Sequence, residues 1–580
     1  MKKIVLALGL VLMTCLSACG KPAETVSTTG TLNQVEPTVT VAQSYTREEI
    51  EKHLAEIGET YDGIYEYDED GLGTFTLKAD VAGAGSMNVG GFIDGVVSGW
   101  GEPTEAVDWN TEGYNYINEN GFTSVATQPF STFGADVDTA TYSNFRHDIF
   151  EDSTNPIPAD AIRIEEMVNY FNYNYSEPKD EEKFGVSAAL CECPWNSDAL
   201  LLRVGVKAES IPADNGSNIV FLVDTSGSMF DSNKLPLAQK ALNILQENLT
   251  DKDTISIVTY AGTSDVLLEG VKGSQHDEIR EAIDSLEAGG STNGEGGIEE
   301  AYRIAKKYFV DGGNNRVILC TDGDLNVGVS SEAGLIKLVE KKRDSGVFLS
   351  CLGFGDGNYQ DAKMEALADY GNGNYAYIDC SREAERVLSE ELWSTLYTVA
   401  KDTKFQIEFN PELVKGYRQI GYENRQMAAE DFADDTKDGG EVGSGQCVTV
   451  LYEIITVDSD YEIPSVESKY DNSTETESTG EFSDELLTIN VRYKEPDENT
   501  SILTTYAVTK DMITEMDEDT SWAAGVAQVG MILRDSEYKG TSTYKDVYER
   551  LINDSRVMSD DYRAEFLYMI SKLNASNEED

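Results

Sequence analysis

Histidine is nearly absent from this 580-residue chain, which contains only His53, His147 and His276. A metal centre built mainly from imidazoles is therefore excluded, and a catalytic triad with a histidine base is not expected. Cationic side chains are also scarce. The chain has 45 Lys and Arg but 105 Asp and Glu, which gives a formal net charge of −60. Since phosphate contacts need Lys and Arg, this charge argues against nucleic-acid binding and against a polybasic membrane patch. It is typical of a well-solvated extracellular surface.

Cysteine is sparse as well, with eight residues in the chain, two of them in the apolar N-terminal segment. This number does not suit a disulfide scaffold in a chain of this length. Cys320 and Cys351 lie inside apolar runs and are predicted to be core residues. The pair Cys191 and Cys193 could serve redox chemistry or metal binding. We favour a structural interpretation, because residues i and i+2 of a strand simply share a face.

The N-terminus resembles a bacterial export signal with a lipidation site. A positive start, Met1-Lys2-Lys3, precedes an apolar stretch over 4–16 that is too short for a comfortable membrane span. The following Leu16-Ser17-Ala18-Cys19-Gly20 resembles the lipobox of bacterial lipoproteins. This resemblance implies cleavage before Cys19 and lipid on its thiol, with an ordinary signal peptide and an incidental cysteine as the alternative. We therefore predict a signal peptide over 1–19, a flexible tether over 20–45, and a lipid-anchored, extracytoplasmic protein of the cell envelope.

The next segment, 46–127, offers little chemistry. Residues 46–57 predict a capped helix, and the rest is rich in Gly and Tyr, with a role that the sequence does not assign. One calcium-loop pattern occurs there, but Leu77 stands at position 12, where a bidentate Glu is required. The residues at its positions 1, 3, 5 and 6 are Glu66, Asp68, Asp70 and Gly71. An EF-hand is therefore not expected.

A second motif that we discount is Asp136-Val137-Asp138-Thr139. It matches the Asp-x-Asp start of phosphatases that use an aspartate nucleophile, which place this motif after a buried apolar strand and carry Thr or Val at its fifth position. Here Ala140 occupies the fifth position, and the composition of 131–135 predicts a poor strand. We therefore expect no aspartyl nucleophile at this position.

Continuous apolar runs alternate with amphipathic helical patterns between residues 216 and 400. Such runs are typical of strands buried on both faces, and the alternation predicts an α/β fold with a doubly wound, mostly parallel sheet of the Rossmann-like kind. Sheets of this class bind ligands outside the carboxyl ends of their strands. The predicted strands are 219–223, 255–258, 317–320 and 347–352. The predicted helices are 235–249, 279–286, 298–309, 334–342 and 382–396.

Oxygen-bearing side chains follow these predicted strands. Asp224-Thr225-Ser226-Gly227-Ser228 comes directly after the first strand, and Thr321-Asp322-Gly323-Asp324 follows the third. Gly289-Gly290-Ser291-Thr292 follows the second helix. Because the carboxyl ends of parallel strands meet at one edge of a sheet, these three loops are expected to converge. Carboxylate and hydroxyl oxygens suit a hard divalent cation.

These residues resemble the metal-ion-dependent adhesion site (MIDAS) of von Willebrand factor type A (VWA) domains. The resemblance implies that Asp224 and Asp322 hold the ion mainly through water or one direct oxygen, while Ser226, Ser228 and Thr292 coordinate it directly. All five positions match the pattern of that family. The implied cofactor is Mg²⁺, with Mn²⁺ or Ca²⁺ as alternatives. A metal-free domain whose hydroxyls cap helices is the competing interpretation.

Segments on both sides of this region resemble the YfbK-like family of bacterial VWA lipoproteins. They are 133–144 and 162–171 before the VWA domain, and 421–425 and 430–438 after it. The resemblance predicts an N-terminal family region over 128–215, a VWA domain over 216–400, and a C-terminal domain of strands and then helices over 401–580.

The flanks also carry their own structural signals. Alternating patterns over 186–206, 405–409, 448–455 and 487–493 predict a small β-sandwich into which the VWA domain is inserted. Helices are predicted over 521–533 and 544–573. An acidic cluster could bind a second cation, although we favour a solvated turn. It consists of Glu430, Asp431, Asp434, Asp435 and Asp438.

The favoured function is a non-enzymatic interaction module on a lipid anchor. A bound ion with an open coordination position accepts an Asp or Glu carboxylate of a protein partner, either in adhesion or in envelope-complex assembly. The net charge opposes an acidic partner only at long range, because salt screens it. One alternative is a Mg²⁺-dependent hydrolase with Asp324 or Glu295 as the general base. Another is a scaffold subunit of an envelope complex.

Overall fold

A computed structural model describes most of the chain. The described residues are 26–30, 32, 45–60, 65–67, 75–77, 116–135, 138–150, 157–179, 182–211, 216–290, 294–323, 332–355, 361–391, 397–437, 439–463, 482, 484–496, 498 and 500–579. The strands are β1 (Val26–Thr29), β2 (Tyr65–Tyr67), β3 (Phe75–Leu77), β4 (Thr123–Ser124), β5 (Phe130–Gly134), β6 (Phe184–Glu192), β7 (Leu200–Ala208), β8 (Ser217–Asp224), β9 (Thr254–Tyr260), β10 (Ser264–Lys272), β11 (Asn314–Thr321), β12 (Phe348–Phe354), β13 (Tyr375–Ile378), β14 (Thr398–Phe409), β15 (Val414–Ile420), β16 (Gln426–Met427), β17 (Val442–Gly443), β18 (Cys447–Thr456), β19 (Glu485–Lys494) and β20 (Ser501–Thr509). The helices are α1 (Arg47–Thr60), α2 (Ala140–Phe150), α3 (Ile164–Asn169), α4 (Leu235–Glu247), α5 (His276–Asp284), α6 (Gly294–Lys307), α7 (Glu332–Arg343), α8 (Asp361–Tyr370), α9 (Ser381–Glu385), α10 (Glu518–Leu533), α11 (Tyr544–Leu551) and α12 (Asp561–Glu579).

The central unit is a six-stranded sheet in the order β10-β9-β8-β11-β12-β13. All neighbours pair in parallel except β9 and β10, which form an antiparallel edge. Apolar residues of the central strands alternate between two buried clusters, one packed under α4, α5 and α9 and the other under α6, α7 and α8. The predicted α/β fold with a doubly wound, mostly parallel sheet is confirmed.

A β-sandwich flanks this unit. One sheet has the order β1-β20-β19-β14-β5-β16, with β17 paired to β14, and the other has the order β4-β15-β18-β7-β6. Their facing side chains share one apolar core. The chain leaves the sandwich after β7 and returns to it at β14, so the predicted insertion of the α/β unit between sandwich strands is confirmed.

Helices cover the outer face of the five-stranded sheet. Helices α1, α2, α3, α10, α11 and α12 bury a cluster that includes side chains of β6, β7, β15 and β18, with Trp522 fully buried. The predicted helix over 46–57 is confirmed as α1. It begins with a capping box, in which Thr46 N donates to Glu49 Oε2 at 2.8 Å and Glu49 N donates to Thr46 Oγ1 at 3.2 Å. Within the described residues, no helix combines the length and apolar character needed to cross a bilayer.

Several segments differ from the sequence-based expectation. The predicted flexible tether contains β1, an edge strand that pairs in parallel with β20. The expectation of a poor strand over 131–135 was wrong, because β5 pairs with β14 along its length and buries Phe133 against Phe405 with ring centroids 5.4 Å apart. Elements β10, β13 and α8 were not predicted, since β10 is a half-exposed edge strand and β13 has only four residues.

A buried ionic cluster joins the α/β unit to the helical layer. Arg146 of α2 donates from Nε to Asp379 Oδ2 at 2.8 Å and from Nη2 to Glu383 Oε2 at 2.8 Å. Its Nη1 donates to Glu565 Oε1 at 3.3 Å. Asp379 follows β13 of the α/β unit, and Glu565 belongs to the C-terminal helix α12. Arg382 pairs with Glu565, and Arg386 pairs with Glu383 and Glu391, so three guanidinium groups contact four carboxylates in this cluster.

We expect Arg146→Met to be strongly destabilising, because it leaves buried carboxylates without their cation. The free energy of unfolding in a urea titration should fall by about 3–5 kcal/mol. The control is Arg303→Met, which removes an exposed guanidinium paired with Glu300 on α6 and should leave the unfolding midpoint unchanged. A loss for Arg146→Met as small as that of the control would contradict this interpretation.

Candidate metal centre

The loop after β8 presents one carboxylate and two hydroxyls. β8 is buried along its whole length, so the carboxylate of its last residue, Asp224, is also fully buried. Asp224 Oδ1 accepts a hydrogen bond from Ser226 N at 2.9 Å. A short 3₁₀ turn, Gly227–Phe230, follows, and Ser226 Oγ and Ser228 Oγ lie 2.9 Å apart. The local turn therefore places three of the five predicted ligands within five residues.

The neighbouring strand β11 brings in the second carboxylate. Thr321, its last residue, donates from Oγ1 to Asp224 Oδ2 at 3.1 Å and so joins the ends of the two strands. Asp322 follows and is 1% exposed. The structure thus brings Asp224, Ser226, Ser228 and Asp322 to one carboxyl edge of the sheet. Their role as metal ligands stays a prediction.

The glycine loop after α5 lies against the serine loop. Gly289 N donates to Thr225 O at 2.8 Å, and Gly227 N donates to Gly290 O at 3.2 Å. Gly290 has a φ of +90°, a left-handed conformation that favours glycine. Thr292, the fifth predicted ligand, lies outside the described residues. The described part of its loop nevertheless contacts the loop of Ser226 and Ser228.

The electrostatics of this edge are those of two buried carboxylates. Burial raises the pKa of Asp224 to about 6, and the charge of Asp322 acts in the same direction, although hydrogen bonds from Ser226 and Thr321 oppose it. The hydroxyl of Tyr260 on β9 is buried beside the side chains of Thr321 and Asp224. Burial raises the pKa of Tyr260 well above its usual value, and the charge of Asp224 adds to this shift. The site therefore holds negative charge that its own hydrogen bonds do not fully stabilise.

This donor set fits a small hard cation. The described donors are two carboxylates and two serine hydroxyls, all oxygen, as Mg²⁺ prefers. The described residues contain no cluster of three or more His, Cys, Asp or Glu side chains of the kind that holds zinc or a similar ion. A hydroxyl-rich centre with two carboxylates is thus the arrangement that the structure offers for a metal.

Sequence reasoning missed one charged residue at this edge. Lys234, at the start of α4, donates from Nζ to Asp322 Oδ2 at 3.1 Å. The exposed fractions of the two side chains are 7% for Lys234 and 0% for Asp322. The partners are 88 residues apart in the chain, so no local spacing could have revealed this pair. A lysine ten residues after the first aspartate was the only available signal.

The described contacts of this centre include none of the other predicted site residues. Cys19 and Asp324 lie outside the described residues. Glu295 belongs to the first turn of α6. Asp138, from the discounted phosphatase motif, is a buried structural residue that accepts hydrogen bonds from Tyr375 N at 3.1 Å and Arg425 Nη2 at 3.2 Å.

The cysteines and the acidic cluster have structural roles. Cys320 and Cys351 are buried in β11 and β12, as predicted, and the six described cysteines are free thiols. Burial raises the pKa of Cys191 to about 12, which disfavours the thiolate that redox or metal chemistry needs. In the acidic cluster, Asp435 Oδ1 accepts hydrogen bonds from Arg492 Nη2 at 2.9 Å and from Ser501 Oγ at 2.5 Å. This agrees with the favoured interpretation as a turn, and Asp438 lies outside the described residues.

Comparisons with known families agree with this architecture. Residues 218–390 match the family described as von Willebrand factor type A domain. Residues 394–575 match the family described as uncharacterized protein YfbK, C-terminal, and residues 108–203 match one described as von Willebrand factor. These matches cover both the α/β unit and the flanking parts of the molecule.

The chain is also similar to several individual proteins. The chain is 40% identical over 480 residues to the uncharacterized protein YfbK of Escherichia coli, which covers 80% of this chain and 82% of that protein. A von Willebrand factor type A structure from Catenulispora acidiphila is 15% identical, covers 68% of this chain and 91% of that one, and has a TM-score of 0.37. Proximal thread matrix protein 1 of the mussel byssus, with a zinc-occupied MIDAS motif, is 22% identical over 32% of this chain and 46% of that one, with a TM-score of 0.26.

Proposed function

Because the chain belongs to the YfbK family of proteins with a von Willebrand factor type A domain, we propose that it is a metal-dependent interaction protein of the cell envelope. VWA domains generally mediate protein–protein interactions. Specifically, we propose that Asp224, Ser226, Ser228, Thr292 and Asp322 bind Mg²⁺, and that the ion captures an Asp or Glu carboxylate of a protein partner. Adhesion and the assembly of an envelope complex are both compatible with this chemistry.

One observation carries the proposal. The carboxylates of Asp224 and Asp322 and the hydroxyls of Ser226 and Ser228 come from two separate strand ends and meet at one edge, joined by the Thr321–Asp224 hydrogen bond of 3.1 Å. Two neighbouring buried carboxylates repel each other, and a nearby cation stabilises both. The sheet and the loop after β8 therefore hold the proposed oxygen donors together through the protein's own hydrogen bonds.

The donor chemistry favours an external acid as ligand. Serine and threonine hydroxyls are neutral, so a Mg²⁺ ion bound here would retain most of its charge and a coordination position for a carboxylate oxygen. Asp224 and Asp322 are buried, whereas Ser228 is partly exposed.

The surroundings support a protein as the partner. Phe230, two residues after Ser228 on the same turn, is 78% exposed. In the free protein this aromatic side chain buries little apolar surface, but it could be buried against another protein. Aromatic residues are enriched at protein–protein interfaces. The proposed partner surface therefore combines a carboxylate with an apolar contact for Phe230.

The proposed location follows from the N-terminus. The lipobox-like sequence that ends in Cys19 supports export and lipid attachment, so we propose that the protein is anchored to a membrane on its extracytoplasmic side. β1 then begins only seven residues after Cys19. Such a short spacer would hold the seven-stranded sheet close to the membrane, since seven residues span at most about 25 Å.

We expect Asp224→Ala to abolish metal binding, because it removes one of two carboxylates from the donor set. The apparent dissociation constant for Mn²⁺, followed by electron paramagnetic resonance of the free ion, should rise by about 100-fold or more. Cross-linking pull-downs from envelope extracts with Mg²⁺ should lose the same partner bands in this variant and in EDTA.

The matched control for this experiment is Asp231→Ala. Asp231 is an exposed aspartate of the same loop and should tolerate the change in both assays. Circular dichroism checks that each variant is folded, because Asp224 accepts two hydrogen bonds that the substitution removes. Capture that persists both in EDTA and in Asp224→Ala would refute metal-dependent binding.

The anchor is tested by Cys19→Ala. We expect this variant to leave the membrane fraction and to lose the lipid-derived increase in N-terminal mass, because the lipid is the proposed attachment. Fractionation and intact mass spectrometry measure both effects. Cys15→Ala, in the same segment, is the control and should stay membrane-bound. Unchanged membrane association of Cys19→Ala would rule out the lipid anchor.

The hydrolase alternative is tested by a phosphatase screen with Mg²⁺. We expect no turnover above the buffer blank, because proteins with VWA domains are generally non-enzymatic interaction proteins. Two histidines that could act as bases have other partners outside the candidate centre. His53 Nε2 lies 2.9 Å from Asp561 Oδ1, and His276 Nδ1 lies 2.9 Å from Gln246 Oε1. Metal-dependent turnover that Glu295→Gln or Asp324→Asn abolishes would establish an enzyme instead.

A further inference from the structure

The candidate centre contains a cation that belongs to the protein itself. Lys234 Nζ lies 3.1 Å from Asp322 Oδ2, and both side chains are at least nine-tenths buried. A buried ion pair of this kind is costly to desolvate and is retained only where its geometry is well satisfied. Stability alone therefore does not explain why Lys234 is buried beside Asp322.

The neighbouring strand ends leave space for the side chain of Lys234. Its stem packs on Gly355, which follows β12 and has a φ of +79°. A Cβ at that position would overlap Lys234 Cε and Cγ, so a side chain there would displace the lysine. Tyr377 in turn donates from Oη to Gly355 O at 3.0 Å and fixes this glycine. The ends of β11, β12 and β13 thus cooperate in holding the ammonium group at Asp322.

The helix gives the lysine no electrostatic support. Lys234 occupies the N-cap position of α4, where an oxygen-bearing side chain is preferred and where the helix dipole disfavours positive charge. No side-chain hydrogen bond caps this helix. A lysine at this position therefore does not stabilise α4, and its contact with Asp322 accounts for its presence.

The contact between Lys234 and Asp322 changes the net charge of the centre. Asp224 and Asp322 contribute two negative charges and Lys234 one positive charge, so the described centre has a net charge of about −1. A divalent ion changes this to about +1, whereas without the lysine the loaded centre would be neutral. The ammonium group thus opposes the metal and favours an anion that binds after it.

We propose that Lys234 is a built-in counter-ion that weakens metal binding and strengthens carboxylate binding at the loaded centre. This inference rests on the proposed metal-dependent function. The lysine makes the metal-loaded centre a positively charged receptor, and the carboxylate of the partner completes its neutralisation. Lys234 is a positioning residue in this scheme, because it acts on the ion and on the partner through Asp322.

The test uses the full-length protein and Lys234→Met, which keeps the apolar stem and removes the charge. Mn²⁺ affinity is measured from the electron paramagnetic resonance of the free ion at pH 8. We expect Lys234→Met to bind Mn²⁺ about tenfold more tightly than the wild type, because a like charge has been removed from beside the ion. Lys234→Gln serves as a second variant if the first is unstable.

The carboxylate arm uses acetate as the probe. Acetate that enters the coordination sphere displaces water and lowers the water-proton relaxation enhancement of the Mn²⁺-loaded protein. At matched ionic strength, we expect the acetate affinity of Lys234→Met to fall by about threefold or more. A merely structural role of the ion pair would lower stability in urea but would not move the two affinities in opposite directions.

Lys240→Met is the matched control. It removes the same charge from the same helix at a site about 9 Å further along the axis, and it should leave both affinities unchanged. If Lys234→Met folds and binds Mn²⁺ no more tightly than the wild type, the counter-ion role is overturned while the metal site stands. If only Lys234→Met binds Mn²⁺ measurably and the wild type does not, the result supports the proposal that Lys234 weakens metal binding. If no variant and no wild type binds Mn²⁺ up to millimolar concentration, the proposed function itself fails.

Discussion

The guanidinium of Arg146 joins the α/β unit to the helical layer that covers the sandwich. It meets Asp379, Glu383 and Glu565, which belong to distant parts of the chain and are almost completely buried. Asp379 stands at the carboxyl end of β13, so this contact lies on the same edge of the sheet as Asp224 and Asp322. Since β13 is three strands from β8, the two features are separated by about 14 Å across the sheet. The ionic cluster therefore fixes the edge strand β13, while the candidate metal centre lies at the middle of the sheet, where β8 and β11 end.

Local charge at this edge matters more than the net charge of the molecule. The formal charge of −60 is spread over a large surface and acts through screening solvent. The carboxylates of Asp224 and Asp322 are buried, so their interaction with each other and with Lys234 is screened much less. An acidic protein can therefore hold a centre that attracts acids, provided that a divalent ion is bound. The surface charge then affects the rate of encounter more than the strength of the final contact.

The sequence predicted those features that depend on local pattern. The strand that ends at Asp224 was recognisable because both of its faces are covered by helices, which requires an uninterrupted apolar run. Asp224, Ser226 and Ser228 were recognisable because one tight turn presents them. β5 was missed because its Ser and Thr residues face buried polar partners: Ser131 Oγ lies 3.0 Å from Tyr452 Oη, a contact across 321 residues of chain. Lys234 was missed for the same reason, since its partner is defined by the assembled sheet and not by spacing.

The choice of donors links the metal to the partner. A centre rich in carboxylates would neutralise a divalent ion by itself and would leave little attraction for an external acid. Here two carboxylates share their charge with Lys234, so the protein neutralises the ion only in part. The remaining attraction is available to a ligand, and by linkage any ligand that binds better to the loaded centre increases metal affinity by the same factor. Replacing one serine by an aspartate would strengthen metal binding and weaken this coupling. A hydroxyl-rich site with an internal cation is therefore suited to a metal that is held most firmly when a partner is present.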